Sequence, residues 1–163
     1  MNNKPVVLFD IDYTLFDTAF FKESGLSEHK IYDEVLQVLE NLSGIVMLGI
    51  FSKGESEFQK NKLEKTGMKK FFKDYNIHIF ADKDANLISV LDKYKDSKLF
   101  LVDDKLGVLY SAKMHIDQVF AIWVKRGPFA KVQEPISGFT PDAEVTNLSD
   151  VVGIIKTELE IRN

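Results

Sequence analysis

The chain contains no cysteine, so disulfides, thiol nucleophiles and thiolate metal sites are excluded from the outset. Histidine is nearly as scarce: His29, His78 and His115 are far apart and have no ligand spacing, which points each to a structural or surface role. No serine–histidine–acid arrangement emerges either. Long apolar runs are missing. The run from Pro5 to Phe9 stops at Asp10, far short of the roughly 20 residues needed to cross a bilayer and too short for the core of a signal peptide. An excess of positive charge is also missing, since 21 Lys and Arg face 25 Asp and Glu for a formal charge of -4. That balance gives no general reason to expect nucleic-acid binding. These absences set the expectation of a cytoplasmic, soluble protein without membrane partners.

What remains is ample for a core: 163 residues, 45% of them hydrophobic, fit one domain spanning 1–163. Apolar runs at 5–9, 45–51, 76–80, 98–102 and 118–124 read as buried strands. Between them lie helical patterns at 28–42, 54–66, 84–94 and 106–113, and a closing helix runs from Leu148 to Ile161. The segment 10–27 is a loop with one short helix at most, and GFTPDAEV reads as a surface connection. Strands alternating with helices predict an α/β fold built on a mainly parallel sheet with right-handed crossovers.

The polar residues that matter fall at strand ends. Asp10, Ser52, Asp103 and Asp104 each follow a strong apolar strand, and Lys83 follows the third strand by a few residues. In a parallel α/β sheet these ends gather around the ligand crevice. If the first strand stays extended, Asp10, Asp12 and Thr14 alternate onto one side. Each signal has a plainer reading alone: Asp is common in turns, adjacent aspartates cap helices, and a lone lysine is usually a surface charge. Ser52 either caps the next helix or donates to phosphate beside that helix's positive end. Together, however, four carboxylates at one edge need compensation, and a hard divalent cation supplies it. An all-oxygen donor set favours magnesium over zinc.

Taken in order, these motifs resemble those of the haloacid dehalogenase superfamily, specifically its aspartate-dependent phosphatases. FDIDYTLFD carries the DxDxT loop at Asp10, Asp12 and Thr14; FSKG supplies Ser52; ADKDAN supplies Lys83; LVDDKLG supplies Asp103 and Asp104. The resemblance implies a Rossmann-like core with strand order 5-4-1-2-3. It implies Asp10 as the nucleophile that forms an aspartyl phosphate, and Asp12 as the group that protonates the leaving oxygen and then activates water. Ser52 and Lys83, with Asp10 and Thr14, would hold phosphoryl oxygens. Mg2+ would contact the Asp10 side chain, the Asp12 backbone carbonyl, Asp103 and Asp104, with Asp104 the stronger candidate for direct contact. An acid at position 12 fits phosphatases and mutases better than dehalogenases. The fourth motif departs from some forms in having Gly107 and Val108 where another acid is common.

Spacing bears on the substrate. There are 39 residues between Asp12 and Ser52 and 30 between Ser52 and Lys83, most of them consumed by core elements, so no large cap fits. Residues 13–27 would act as a short flap. Such an open site admits a phosphorylated small molecule or an accessible macromolecular phosphate, and leaves homo-oligomerisation as another source of cover. Phe16, Phe20 and Phe21 close this opening, contact a partner or stack a ligand, or else pack in the ordinary way as such aromatics more often do, whereas Phe120 and Trp123 read as strand core. The leading expectation is a magnesium-dependent phosphomonoester hydrolase. The alternatives are a non-catalytic phosphate-binding or regulatory protein and, less favoured without a cap, a phosphomutase.

Overall fold

The structure, a computed structural model, describes residues 3–161. Its centre is β1 (Val6–Phe9), four residues that are all buried because helices cover both faces of the sheet. β1 lies between β2 (Met47–Lys53) and β4 (Leu99–Asp103), and β3 (Ile77–Phe80) and β5 (Phe120–Val124) extend the sheet outward. Every pairing is parallel, and the 5-4-1-2-3 order expected from the motifs is observed.

One strand was not anticipated. Ala143–Val145 forms β6 beside β5, within the stretch expected to be a surface connection. It is a three-residue edge strand in which only Val145 is buried, so it carries no apolar run for periodicity to detect. A short edge strand of this kind also limits intermolecular pairing.

The two-residue period of the strands divides the core. Val7 and Phe9 point to the side covered by α2 (Val35–Ser43) and α7 (Ser149–Glu158), while Val6 and Leu8 point to the side of α4 (Lys83–Asp92) and α5 (Leu106–His115). Helix α3 (Ser56–Lys65) follows β2 and joins the first side through Leu63. The expected helix at 28–42 is shorter than its pattern, because residues 28–34 are not helical. Their backbone pairs instead with the loop after β1: Asp17 donates to the Lys30 carbonyl at 2.8 Å and Tyr32 to that of Leu15 at 3.2 Å. Tertiary hydrogen bonds here override a local helical period.

The segment 10–27 is a tight turn followed by α1 (Thr18–Glu23). Phe16 and Phe21 are buried. Among the described residues, no helix is long and apolar enough to cross a membrane.

Away from the strand ends that carry the acids, His78 on β3 is 5% exposed and hydrogen-bonded to the Tyr94 hydroxyl, which also reaches Asn76. Burial, with Lys93 nearby, lowers its pKa from 6.5 to about 4. Between those values the unfolded chain binds more protons than the folded one. The stability that His78 contributes is therefore complete above pH 6.5 and falls as pH drops toward 4. We expect His78→Gln to remove about 1–2 kcal/mol of the stability difference between pH 7 and pH 5, measured by urea unfolding at each pH. Equal pH dependence in the two proteins would contradict this origin.

Candidate active site

The strand order dictates where the site forms. From β1 the chain continues to β2 on one side, and β4 returns on the other, so the crevice between the ends of β1 and β4 is the topological switch point of the sheet. Phe9 is in register with Val102, and the Asp10 amide donates to the Val102 carbonyl at 3.0 Å. Asp10 is thereby set beside Asp103 and Asp104. The order of the strands, and no special loop, brings these three carboxylates together.

Asp10, Asp103 and Asp104 are all buried and offer oxygens within 4.8 Å of one another. A single lysine offsets part of this charge. Lys83, the first residue of α4, reaches past the Phe51 ring and donates to Asp103 Oδ2 at 2.6 Å and Asp10 Oδ1 at 3.3 Å. Burial alone would lower the Lys83 pKa, but Asp10 and Asp103 outweigh it and hold the ammonium firmly charged.

The two neighbouring aspartates have different positions. Both Asp103 oxygens are engaged, one by Lys83 and the other by the Lys105 amide at 2.9 Å. Both Asp104 oxygens are buried without a hydrogen-bond partner. Burial, then the charges of Asp10 and Asp103, raise the Asp104 pKa to about 10; burial foremost raises that of Asp10 to about 6. The Asp104 backbone is fixed, because its carbonyl accepts from Trp123 Nε1 at 3.0 Å and Gln133 Nε2 at 2.8 Å. An orphaned carboxylate held rigidly beside two others is a fitting site for a hard cation with oxygen ligands. No thiolate or imidazole adjoins it, which suits magnesium rather than zinc.

Asp12 enters the site by a different route from that expected. The chain does not stay extended after β1. Tyr13 has φ +60°, and the amides of Thr14, Leu15 and Phe16 all donate to the Ile11 carbonyl, folding the loop into a tight turn. Asp10 and Asp12 still line one cavity, but Thr14 is wholly buried and does not line it. The Thr14 carbonyl accepts from Arg126, whose guanidinium also donates to Glu34 at 2.6 Å and lies 3.6 Å from the Tyr32 ring centroid. Arg126 thus ties the exit of β5 to this turn.

Two residues on α3 escaped the sequence reading. Lys62 Nζ donates to Asp12 Oδ1 at 2.7 Å, and Gln59 Nε2 donates to Asp12 Oδ2 at 3.0 Å. Thr18 adds a hydroxyl at 3.0 Å from Asp12 Oδ1. Gln59 also donates to the Ser52 hydroxyl at 3.2 Å, so Ser52 lies behind the cavity wall and not on it. Lys62 is 3% exposed, and its ammonium lies about 5 Å from the rings of Phe16, Phe21 and Phe58. The signal was present: Gln59, Lys62, Leu63 and Thr66 share the i, i+3, i+4, i+7 face, and Leu63 marks that face as the inward one.

Asp10, Asp12 and Asp104 are among the residues that line a cavity of about 380 Å3. Tyr13, Thr18, Phe21, Lys22 and Leu26, all within 13–27, supply one of its walls.

No family model matches the chain, and no curated protein matches it. Solved structures do. One is described as a haloacid dehalogenase-like hydrolase from Burkholderia xenovorans LB400, with 20% identity and TM-score 0.79, covering 96% of this chain and 99% of that one. The chain has the haloacid dehalogenase-like fold. A HAD-hydrolase from Bacillus subtilis bound to magnesium aligns at 14% identity and TM-score 0.68, over 94% and 99% of the two chains. An L-2-haloacid dehalogenase, RSc1362, aligns at 13% identity and TM-score 0.73, over 95% and 100%. At such identities the shared fold does not separate phosphoryl chemistry from dehalogenation.

The crowded acids make a prediction independent of turnover. A carboxyl whose pKa is raised on folding binds more protons in the folded than in the unfolded state, so the contribution of Asp104 to the stability of the metal-free protein falls as pH rises from about 4 toward 10. We expect Asp104→Asn to raise the Tm of metal-free protein at pH 8. We also expect Mg2+ to raise the wild-type Tm more at pH 8 than at pH 5.5 and to leave the variant nearly unmoved. A variant less stable than wild type at pH 8, or one equally stabilised by Mg2+, would contradict this reading of Asp104.

Proposed function

We propose that this chain is a magnesium-dependent phosphomonoester hydrolase that works through an aspartyl phosphate on Asp10. The observation that carries the reading is the convergence of Asp10, Asp12 and the unpartnered Asp104 on one cavity, with Lys83 bridging Asp10 to Asp103 behind it. Asp104 and Asp10 would hold the cation, with the Asp12 carbonyl as a further oxygen. Mg2+, when bound, offsets the carboxylate charge and polarises a phosphoryl oxygen.

Asp10 attacks phosphorus as a carboxylate. The bond to the leaving oxygen breaks with its electron pair, and protonated Asp12 gives that oxygen its proton. Asp12, now a carboxylate, takes a proton from water as the water oxygen attacks the phosphoryl-aspartate. The phosphorus–Asp10 bond then breaks, returning Asp10 as a carboxylate and releasing inorganic phosphate, with Asp12 protonated again. Lys83 stabilises charge on the phosphoryl oxygens while keeping Asp10 aimed. Ser52, behind the cavity wall, is joined to Asp12 through Gln59, which gives it an orienting role.

Asp12 also distinguishes this reading from dehalogenation. A departing halide needs no proton, whereas an alkoxide does, and three donors on α1 and α3 hold the Asp12 carboxylate at the cavity. Within this reading residues 13–27 form the flap, and a single domain carries the whole reaction.

A panel of phosphomonoesters with Mg2+ is expected to yield phosphate. Chelator or Asp10→Asn should abolish release, and Asp12→Asn should reduce it about 100-fold or more. No release from any substrate by folded protein, or full activity in Asp10→Asn, would sink the proposal. Lys62→Met keeps the length of the side chain but drops its charge. It should lower kcat by about 10–100-fold with KM nearly unchanged, as expected for a residue that positions Asp12 and does not bind substrate. A rise in KM at constant kcat would place Lys62 in substrate binding instead.

A further inference from the structure

The cavity is two-toned. Beside its acidic and polar residues, its lining carries two aromatic pairs. Phe21 of α1 and Phe58 of α3 lie 6.0 Å apart between ring centroids. Tyr13 of the β1 loop and Phe129, at the start of α6 (Phe129–Val132), lie 6.2 Å apart in an edge arrangement. Phe58 and Phe129 remain 46% and 37% exposed, although they border a buried site. Large rings left in solvent beside a cavity are apolar surface awaiting a ligand.

The lysines around the site differ in their partners. Lys62 and Lys83 are spent on Asp12, Asp10 and Asp103. Lys22, Lys53 and Lys105 also line the cavity, yet among the described residues none of them has a carboxylate partner. Lys22 donates to the Tyr13 hydroxyl at 3.3 Å and lies 5.7 Å from that ring's centroid, and the Lys105 ammonium lies 4.6 Å from the centroid of Phe129. Cations beside aromatic faces with no anion of their own suit a ligand that is both flat and acidic.

We infer that the site takes a small phosphomonoester whose organic portion is an aromatic ring bearing a second anionic group. This rests on the phosphatase reading for the orientation of the phosphoryl group toward Asp10. The cavity, about 380 Å3, leaves room beyond a phosphoryl group for such a ring. The ring would lie between the two aromatic pairs, with its acid facing Lys53 and Lys105.

Binding of non-hydrolysable phosphonates tests this without chemistry. Methylphosphonate, cyclohexylmethylphosphonate, benzylphosphonate and 4-carboxybenzylphosphonate are titrated calorimetrically into the Mg2+-loaded protein. Benzylphosphonate should bind about tenfold tighter than the methyl compound and several-fold tighter than the cyclohexylmethyl one. The added carboxylate should gain a further ~5-fold at low salt, and the gain should shrink as ionic strength rises. Phe58→Ala and Phe129→Ala should each shrink the benzyl-to-methyl ratio, and Lys105→Gln the carboxylate gain.

Benzyl and methyl compounds binding alike would overturn the aromatic assignment, as would a ratio unmoved by both Phe variants. No gain from the carboxylate would overturn the acidic one. The phosphatase reading fails separately. If phosphonates show the expected order but no ester is hydrolysed, the ligand class stands and turnover does not; if esters are hydrolysed without that order, turnover stands and the ligand class falls.

Discussion

Like charges at close range organise this molecule. Asp10, Asp103 and Asp104 are buried with oxygens within 4.8 Å of each other, and among the described residues Lys83 is the only ammonium hydrogen-bonded to any of them, donating to Asp10 and Asp103. Carboxylates so placed repel, and burial removes the water that would screen them. The fold tolerates the crowding because two acids share Lys83, while burial and the charges of Asp10 and Asp103 push Asp104 toward its protonated form. A folded state that stores this much unfavourable charge at one edge gives up stability for a site. Much of the remaining architecture supports it: β1 and β4 pair to set the acids side by side, and Trp123 and Gln133 grip the carbonyl of Asp104.

Asp12 is held by a second, separate network. Its partners come from α1 and α3, on the far side of the turn set by Tyr13. The two acids of the first loop therefore answer to different surroundings. Asp10 is governed by Lys83 and the paired aspartates, Asp12 by Lys62, Gln59 and Thr18. One network thus holds the nucleophile of the proposed reaction and the other its proton carrier. Lys62 itself is stabilised by three phenylalanine rings, so residues that look like plain core also tune the site.

How legible this was in the sequence depended on the physics behind each feature. Four strands carry nearly continuous apolar runs because both sheet faces are covered, β3 reads as a strand despite His78, and all five were readable. Val145 alone could not announce β6, and residues 28–34 kept a helical period while their backbone bonded to the loop after β1. The acids at strand ends were visible because an aspartate ending a buried run is conspicuous. The turn at Tyr13 was not, since alternation assumed an extended chain. Thr14 accordingly lies behind the cavity rather than on it. Lys62 and Gln59 were hidden among the many charges of α3, and only the phase set by Leu63 distinguishes them from the lysines that face water.

The claim on which the account rests is that Asp10 carries the phosphoryl group. Acid quenching of the Mg2+-loaded protein during turnover, followed by intact mass and peptide mapping, tests it most directly. The account predicts a transient gain of one phosphoryl group on the peptide containing Asp10, absent in Asp10→Asn and persisting longer in Asp12→Asn. Turnover with no phosphorylated protein at any time, or with the phosphoryl group on another residue, would contradict it.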